Sequence, residues 1–165
     1  ALIIVIPIRL YVAQPFIVSG ASMDPTFMNG QYLIVDEISY RFNEPSRGDV
    51  VIFKYPKDPK KYFIKRIIGL PGETVVINEQ GSVSIRQTGN GAIVTLQEPY
   101  VHFPKNEPAL RALSASEYFV MGDNREESFD SRMWGPVKRD LLIGKAFVRL
   151  FPFTKIDIFP GEFKQ

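Results

Sequence analysis

Eight short runs of Val, Ile, Phe and Tyr, each closed by a turn, constrain this chain more than any other feature. They are QYLIVDE (31–37), GDVVIFKYP (48–56), YFIKRIIGL (62–70), ETVVIN (73–78), SVSIR (82–86), AIVTL (92–96), YFVMG (118–122) and GKAFVRLFPF (144–153). Runs this short, rich in β-branched and aromatic residues and bounded by turn formers, make strands rather than helices. No segment carries a sustained helical period. ETVVIN and SVSIR are separated by EQG, a three-residue loop in which Gly81 is available for a left-handed conformation, so these two runs form a hairpin. The 13 prolines and 12 glycines are spread along the chain rather than gathered in a linker, and there are no internal repeats. The expected fold class is all-β, mostly antiparallel strands with few short helices, in one compact domain. Its most irregular part is 97–117, an extended loop or a short helix around Ala109–Ser116.

The composition removes most catalytic vocabularies. Zero cysteines exclude disulfides, thiolate nucleophiles, iron–sulfur clusters and every zinc site with a sulfur ligand, and the single histidine, His102, cannot supply a multi-histidine metal site. With 20 basic and 18 acidic residues the formal charge is +2, too near neutral for the attraction to phosphate on which most nucleic-acid binders rely, so no nucleic-acid partner is expected. The lack of cysteine suits an oxidising compartment and many cytosolic proteins alike. The opening, ALIIVIPIRLYVAQPFIV (1–18), has only Arg9 and Gln14 as strongly polar residues. It reads as the exit end of a spanning helix, although Pro7 and Arg9 oppose a complete span, or as a buried strand or helix at the edge of the domain. It shows neither the basic start nor the small-residue cleavage site of a signal peptide, and a first residue of Ala rather than Met reads as a fragment.

Hydrolysis in such a chain needs a serine or threonine activated by something other than histidine, or a pair of carboxylates. A lysine serves as general base only when neutral, so its ordinary pKa of about 10.4 must fall through burial or a neighbouring cation. Alternation along 62–70 puts Lys65 on one face with Phe63 and Ile67, and Arg66 on the other beside Ile64 and Ile68. Lys65 is then either an amine forced among apolar neighbours or a side chain that snorkels to solvent or pairs with a carboxylate. In SGASMDPT (19–26), Gly20 and Ala21 leave the approach to Ser22 open, which suits a nucleophile beside free backbone N–H groups; a plain turn serine is the alternative. The third stretch, GDNREESFDSRMWGPV (122–137), holds Asp123, Glu126, Glu127 and Asp130 without the spacing of a calcium loop. With Arg125 and Arg132 as counter-charges, it reads as a charge-paired loop that positions Ser128 through a side-chain network. His102, between prolines in EPYVHFPK, reads as a loop residue.

Taken together and in this order, SGASMDPT, YFIKRIIGLPGE and GDNREESFDSRMWGPV resemble the successive signature boxes of type I signal peptidases, and the apolar opening and GDVVIFKYP also match in order. The resemblance implies a signal-peptidase/LexA-like β fold and a membrane-anchored serine endopeptidase that removes signal peptides from exported preproteins, without metal or cofactor. It implies that 1–18 is the C-terminal part of a membrane anchor or an apolar lead-in, that 19–165 is a single catalytic β domain, and that this domain lies on the extracytoplasmic side of the cell membrane in contact with lipid. By matching position, Ser22 is the nucleophile, Lys65 the general base and Ser128 the serine that orients the lysine. Asp123, Arg66, Asp130 and Arg132 match the family's supporting ionic residues. The Ser22 N–H is expected to donate to the oxyanion, whereas Gly20 stands where some members carry a serine as second donor, and Ser19 is out of phase with that role. Ile17–Ser19 and Lys61–Ile64 are positioned to offer strand edges to an extended peptide, which brings Ile17, Ser19, Gly20, Tyr62 and Ile64 into substrate binding, with Met23 as a pocket wall. Two other readings remain: a Ser–Lys self-cleaving repressor-type protease domain, and a catalytically silent β-module that binds peptides through the same groove.

Overall fold

The computed structural model describes residues 13–89 and 91–163. Each of the eight runs becomes a strand, and four further strands complete two antiparallel sheets. In chain order these are β1 (Ala13–Ile17), β2 (Tyr32–Asp36), β3 (Val50–Tyr55), β4 (Asp58–Gly69), β5 (Thr74–Ile77), β6 (Val83–Arg86), β7 (Ile93–Thr95), β8 (Ala109–Ala112), β9 (Glu117–Met121), β10 (Val137–Lys138), β11 (Leu142–Phe151) and β12 (Asp157–Ile158). The larger sheet runs β1-β2-β11-β3-β4-β9-β10, with β12 on β11; the smaller runs β7-β6-β5-β8. Two one-turn helices, α1 (Ser39–Phe42) and α2 (Ser131–Trp134), interrupt the strands.

The apolar run VVIF in β3 is continuous rather than alternating because both of its faces are covered. Val51 and Phe53 join a core cluster with Ile67, Tyr118, Val120 and Trp134, whereas Val50 and Ile52 join Val18, Met23, Phe27, Leu33 and Val35 on the other side. A third cluster, built on Val75, Ile77, Val83, Ile85, Phe119 and Met121, lies under the smaller sheet. Burial on both faces is what a sheet wrapped by its own loops and a second sheet demands. The β5–β6 hairpin closes through Gly81 at φ +80°, as its loop composition predicts.

Two expectations need correction. Ala109–Ala112 is strand β8, not a helix: it pairs with β5 from Ile77↔Ala109 to Thr74↔Ala112, and Ala109 packs on the cluster under that sheet. The run 62–70 is also longer than its apolar part, because β4 begins at Asp58 and pairs with Tyr55 across the Pro56–Lys57 turn. Of the apolar opening, residues 1–12 lie outside the described residues, and Ala13–Ile17 is an edge strand on β2. Among the described residues no helix is long and apolar enough to cross a membrane.

Candidate active site

The loop between β1 and β2 is pulled into the molecule by two side chains. Met23 and Phe27 are 1% and 0% exposed in the core, and the loop's ends close through Val18 N to Gln31 O and Gly30 N to Val18 O, both 2.9 Å. Met23 is therefore an interior anchor beneath the loop rather than a wall of the groove. Fixing Met23 from below leaves its neighbour Ser22 at the surface of the loop, half-buried, facing β4.

Lys65 stands in the middle of β4 opposite Val51, next to Phe63 opposite Phe53. It is 4% exposed. Its Nζ donates to Ser22 Oγ at 2.6 Å and to the Ile64 carbonyl at 2.9 Å, and lies 5.6 Å from the centre of the Phe63 ring. Burial lowers the pKa of this amine from 10.5 to about 8, against the opposing pull of the Asp130 and Asp123 carboxylates. Burial prevails because each carboxylate is already held by an arginine of its own.

Asp123 receives Arg66 Nε at 2.8 Å and Nη2 at 2.6 Å, with both side chains fully buried. The same guanidinium donates to the Gly48 and Gly161 carbonyls at 2.9 and 2.7 Å and packs 4.0 Å from the centre of the Tyr100 ring. Thr26 Oγ1, from the serine's own loop, donates to Asp123 Oδ2 at 2.7 Å. Asp130 accepts Arg132 Nε and Nη2, each at 2.9 Å. Burial would raise the Asp130 carboxyl, yet the Arg132 bonds and charge, with Ser128 and the Gly122 amide, hold it below the usual carboxylate range.

Ser128 Oγ accepts from Gly122 N at 3.1 Å and bonds to Asp130. The hydrogen bonds of Lys65 go to Ser22 and Ile64, so Ser128 neighbours the pair through Gly122 rather than through a bond to the amine. Gly122 is the residue that sequence reasoning passed over. A Cβ there would run into Ser128 Oγ and the Ser22 carbonyl, so only glycine lets β9 pass between the two serines. Asn124 N donates to that same Ser22 carbonyl at 3.1 Å, tying the third motif to the first. Gly161 was equally invisible in the sequence: it accepts from Arg66, and a Cβ there would lie 2.8 Å from Thr26 and 3.0 Å from Phe27. Arg125, bonded to the Gly122 carbonyl at 2.8 Å and to both oxygens of Glu98, braces the same turn.

A groove of about 260 Å³ leads to Ser22 and Lys65 between β1 and β4. Ile17, Ser19, Gly20, Tyr62 and Ile64 line it, with Phe16, Leu33 and Ile52 as its apolar floor and walls. Phe16 and Tyr62 meet across it with ring centres 5.7 Å apart. Gly20 N donates to Asn29 Oδ1 at 3.0 Å, and among the described residues the Ser22 N–H meets no acceptor. A larger cleft of about 650 Å³ beside Tyr40 and Phe159 contains neither Ser22 nor Lys65; its Asp49 is taken by Tyr40, Ser46 and Lys145. His102 is exposed in a loop. Among the described residues no three His, Asp or Glu side chains are grouped to hold a metal ion.

The family described as signal peptidase, peptidase S26, matches residues 1–151. The chain is similar to probable signal peptidase I-2 of a Synechocystis strain, with 40% identity over 98% of this chain and 74% of the relative. It is 36% identical to signal peptidase I of Leptolyngbya laminosa over 94% of this chain and 77% of the relative. Among solved structures, the crystal structure of a signal peptidase I from Enterococcus faecalis superposes with a TM-score of 0.52 at 31% identity, covering 62% of this chain and 97% of that one. A half-buried serine bonded to a buried lysine at the end of an apolar groove, carried on a chain with these relatives, has one consistent meaning: the protein belongs to the signal peptidase family, peptidase S26.

Proposed function

We propose that this serine endopeptidase cleaves signal peptides from exported preproteins with Ser22 as nucleophile and Lys65 as general base. The observation that carries the proposal is the 2.6 Å contact between Ser22 Oγ and an amine that is 4% exposed. With a pKa of about 8, roughly a tenth of the amine is neutral at pH 7, and that fraction is competent to accept a proton. Neutral Lys65 Nζ takes the Ser22 hydroxyl proton as Oγ attacks the scissile carbonyl carbon. The oxyanion that forms finds the free Ser22 N–H. The Lys65 ammonium returns its proton to the departing amine, leaving an acyl-enzyme, and the again neutral Lys65 then takes a proton from the water that hydrolyses the ester and passes it to Ser22 Oγ as the acid leaves.

Asp123, Arg66, Asp130 and Arg132 act by position: they hold β4, the serine loop and the third motif in register and neutralise each other, so the field at Lys65 stays small. Ser128 supports this arrangement through Gly122 and Asp130. The groove between β1 and β4 receives the substrate as an extended strand. Phe16, Leu33 and Ile52 leave it shallow, which suits small side chains before the cleaved bond.

Signal peptidase I proteins work at membranes, and the same reading gives the apolar residues before β1 as the end of an anchor, single-pass or peripheral; the expected boundary at 18/19 moves forward, because β1 pairs with β2 and lines the groove and so belongs to the catalytic domain outside the membrane. The edge of the larger sheet beside the groove supports contact with lipid. Ile17 pairs with Tyr32, Tyr32 with Phe151, and the Phe151 ring meets Phe153, all of them exposed. Such a row of large apolar side chains is the usual mark of an interaction face. Co-sedimentation of the full chain with phospholipid vesicles should weaken in a Phe151→Ser, Phe153→Ser double variant, and undiminished binding would remove this face from the proposal.

The decisive experiment is cleavage of a preprotein across a pH series. Turnover should rise with pH and level off above about 8, as the amine loses its proton. Ser22→Ala and Lys65→Ala should each abolish turnover while circular dichroism stays that of the parent. Normal cleavage by either variant would refute the dyad.

A further inference from the structure

The groove is almost free of charge. Of the residues that line it, only Lys65 and Glu127 bear ionisable acid or amine groups, and Lys65 is neutral when it works. The other carboxylates of the third motif nearest the dyad are engaged: Asp123 with Arg66 and Asp130 with Arg132. Glu127 differs from both. Its backbone N–H is fixed by Asn124 Oδ1 at 3.2 Å, yet among the described residues its carboxylate has no hydrogen-bond or ion-pair partner. Glu127 and Phe129 flank Ser128, and both are exposed on the groove wall. The loop thus presents one unpaired carboxylate, on a held backbone, beside an apolar trough that ends at Ser22.

We propose that Glu127 is a specificity-determining residue of the peptidase, favouring substrates with a cationic side chain close to the cleaved bond and disfavouring those with an acidic one there. The inference rests on the function proposed above and adds to it the charge of the preferred substrate. It follows from elementary electrostatics. A peptide lying in the groove displaces water along its whole length, and the unpaired carboxylate then attracts a lysine or arginine side chain that passes it and repels an aspartate or glutamate. Because the carboxylate sits on an exposed wall, the effect is modest, about two- to five-fold in kcat/KM, and salt screens it. Glu127 is no part of the network that sets the amine: the carboxylates that act on Lys65 are Asp130 and Asp123. Charge selection and proton transfer are therefore separable.

The test uses the full chain and a set of signal-peptide-derived peptides carrying Lys, Ala or Glu in turn at each of the three positions on either side of the scissile bond. Wild type should rank them Lys over Ala over Glu at one or more positions, and the ranking should flatten in 1 M salt. Glu127→Gln should bring the Lys-to-Glu ratio of kcat/KM towards one, and Glu127→Lys should invert it. Glu126→Gln, whose side chain is exposed but does not line the groove, should preserve the wild-type ratio. A ratio that is the same in wild type, Glu127→Gln and Glu127→Lys overturns the assignment, as does an equal loss of ranking in Glu126→Gln. Failure of wild type to cleave even the alanine peptides overturns the signal-peptidase reading and this inference with it, whereas alanine peptides cleaved without any ranking by charge overturn only the role of Glu127.

Discussion

At the scale of the residue, the central fact is an amine that the fold holds at a disadvantage. Lys65 is protonated in the unfolded chain up to pH 10.5 and in the folded one only to about 8. Between these values the unfolded state binds more protons, so stability rises with pH across the window; below about 8 the penalty is present in full. Two and a half units at about 1.36 kcal/mol each put the penalty near 3 kcal/mol. Lys65→Met keeps the length of the side chain and removes the charge, so at pH 7 it should be the more stable protein by up to about that amount, with the gain shrinking towards pH 10. Urea midpoints for both proteins at pH 7 and pH 10 test this. A gain that is absent at pH 7, or that persists undiminished at pH 10, would mean that burial does not set the amine's pKa. Lys65 was legible in the sequence because the alternation of Phe63, Lys65 and Ile67 puts an amine where an apolar side chain belongs. Met23 was not, because a loop residue shows no period, and only the fold reveals that it turns inward.

Strands decide what can approach what. The end of β9 slides between Ser22 and Ser128 because Gly122 has no side chain, and this close approach links the first and third motifs. Gly122→Ala should force the two serines apart or bend β9. Packing an extra methyl into such a place destabilises by about 1–3 kcal/mol. A displacement approaching 1 Å at a reacting group lowers turnover by up to about a hundredfold. Because the groove proposed to bind substrate is formed by β1 and β4, KM should change far less than kcat. Steady-state kinetics on one preprotein separates the two, and a kcat within twofold of the parent would show that β9 yields without disturbing Ser22. The elements themselves were legible wherever burial imposes a pattern, as in β3, β5 and β6. They were not where pairing counts for more than burial: β8 is mostly exposed and lacks an apolar run, and the DPKK start of β4 is a charged extension whose Asp58 pairs with Tyr55 before the register shifts. Ladder hydrogen bonds leave no trace in hydropathy.

Over the whole molecule, one ion pair ties together parts of the chain that the sequence keeps far apart. Arg66 comes from β4, Asp123 from the turn after β9, Thr26 from the serine loop and Gly161 from the C-terminal segment; Gly161 accepts from the guanidinium, Thr26 donates to the carboxylate, and all meet at one buried ion pair. Arg66 and Asp123 could be assigned only through the family resemblance, because each falls on a position that matches the family's supporting ionic residues. Gly161, Thr26 and the Glu98 partner of Arg125 could not, since only closure of the sheets brings them there. The energetic weight of this junction follows from its burial. Two charges taken wholly out of water lose their hydration, and they offset that loss only while every bond is kept. Asp123→Ala would leave the Arg66 charge buried with two carbonyls for company and deprive Thr26 of its acceptor, at a cost of about 3–5 kcal/mol. Lys61 and Asp58 form the contrasting case. Their contact at 3.3 Å joins side chains 66% and 39% exposed, and Lys61→Ala should change stability by no more than about 0.5 kcal/mol. In a chain of this size about 2–4 °C of melting temperature accompanies each kcal/mol, so Asp123→Ala should melt about 10 °C below the parent while Lys61→Ala melts within a degree or two of it. If the two variants melted together, the buried pair would be holding nothing that the surrounding core does not already hold, and the alignment of serine loop, β4 and third motif would have to be credited to apolar packing instead.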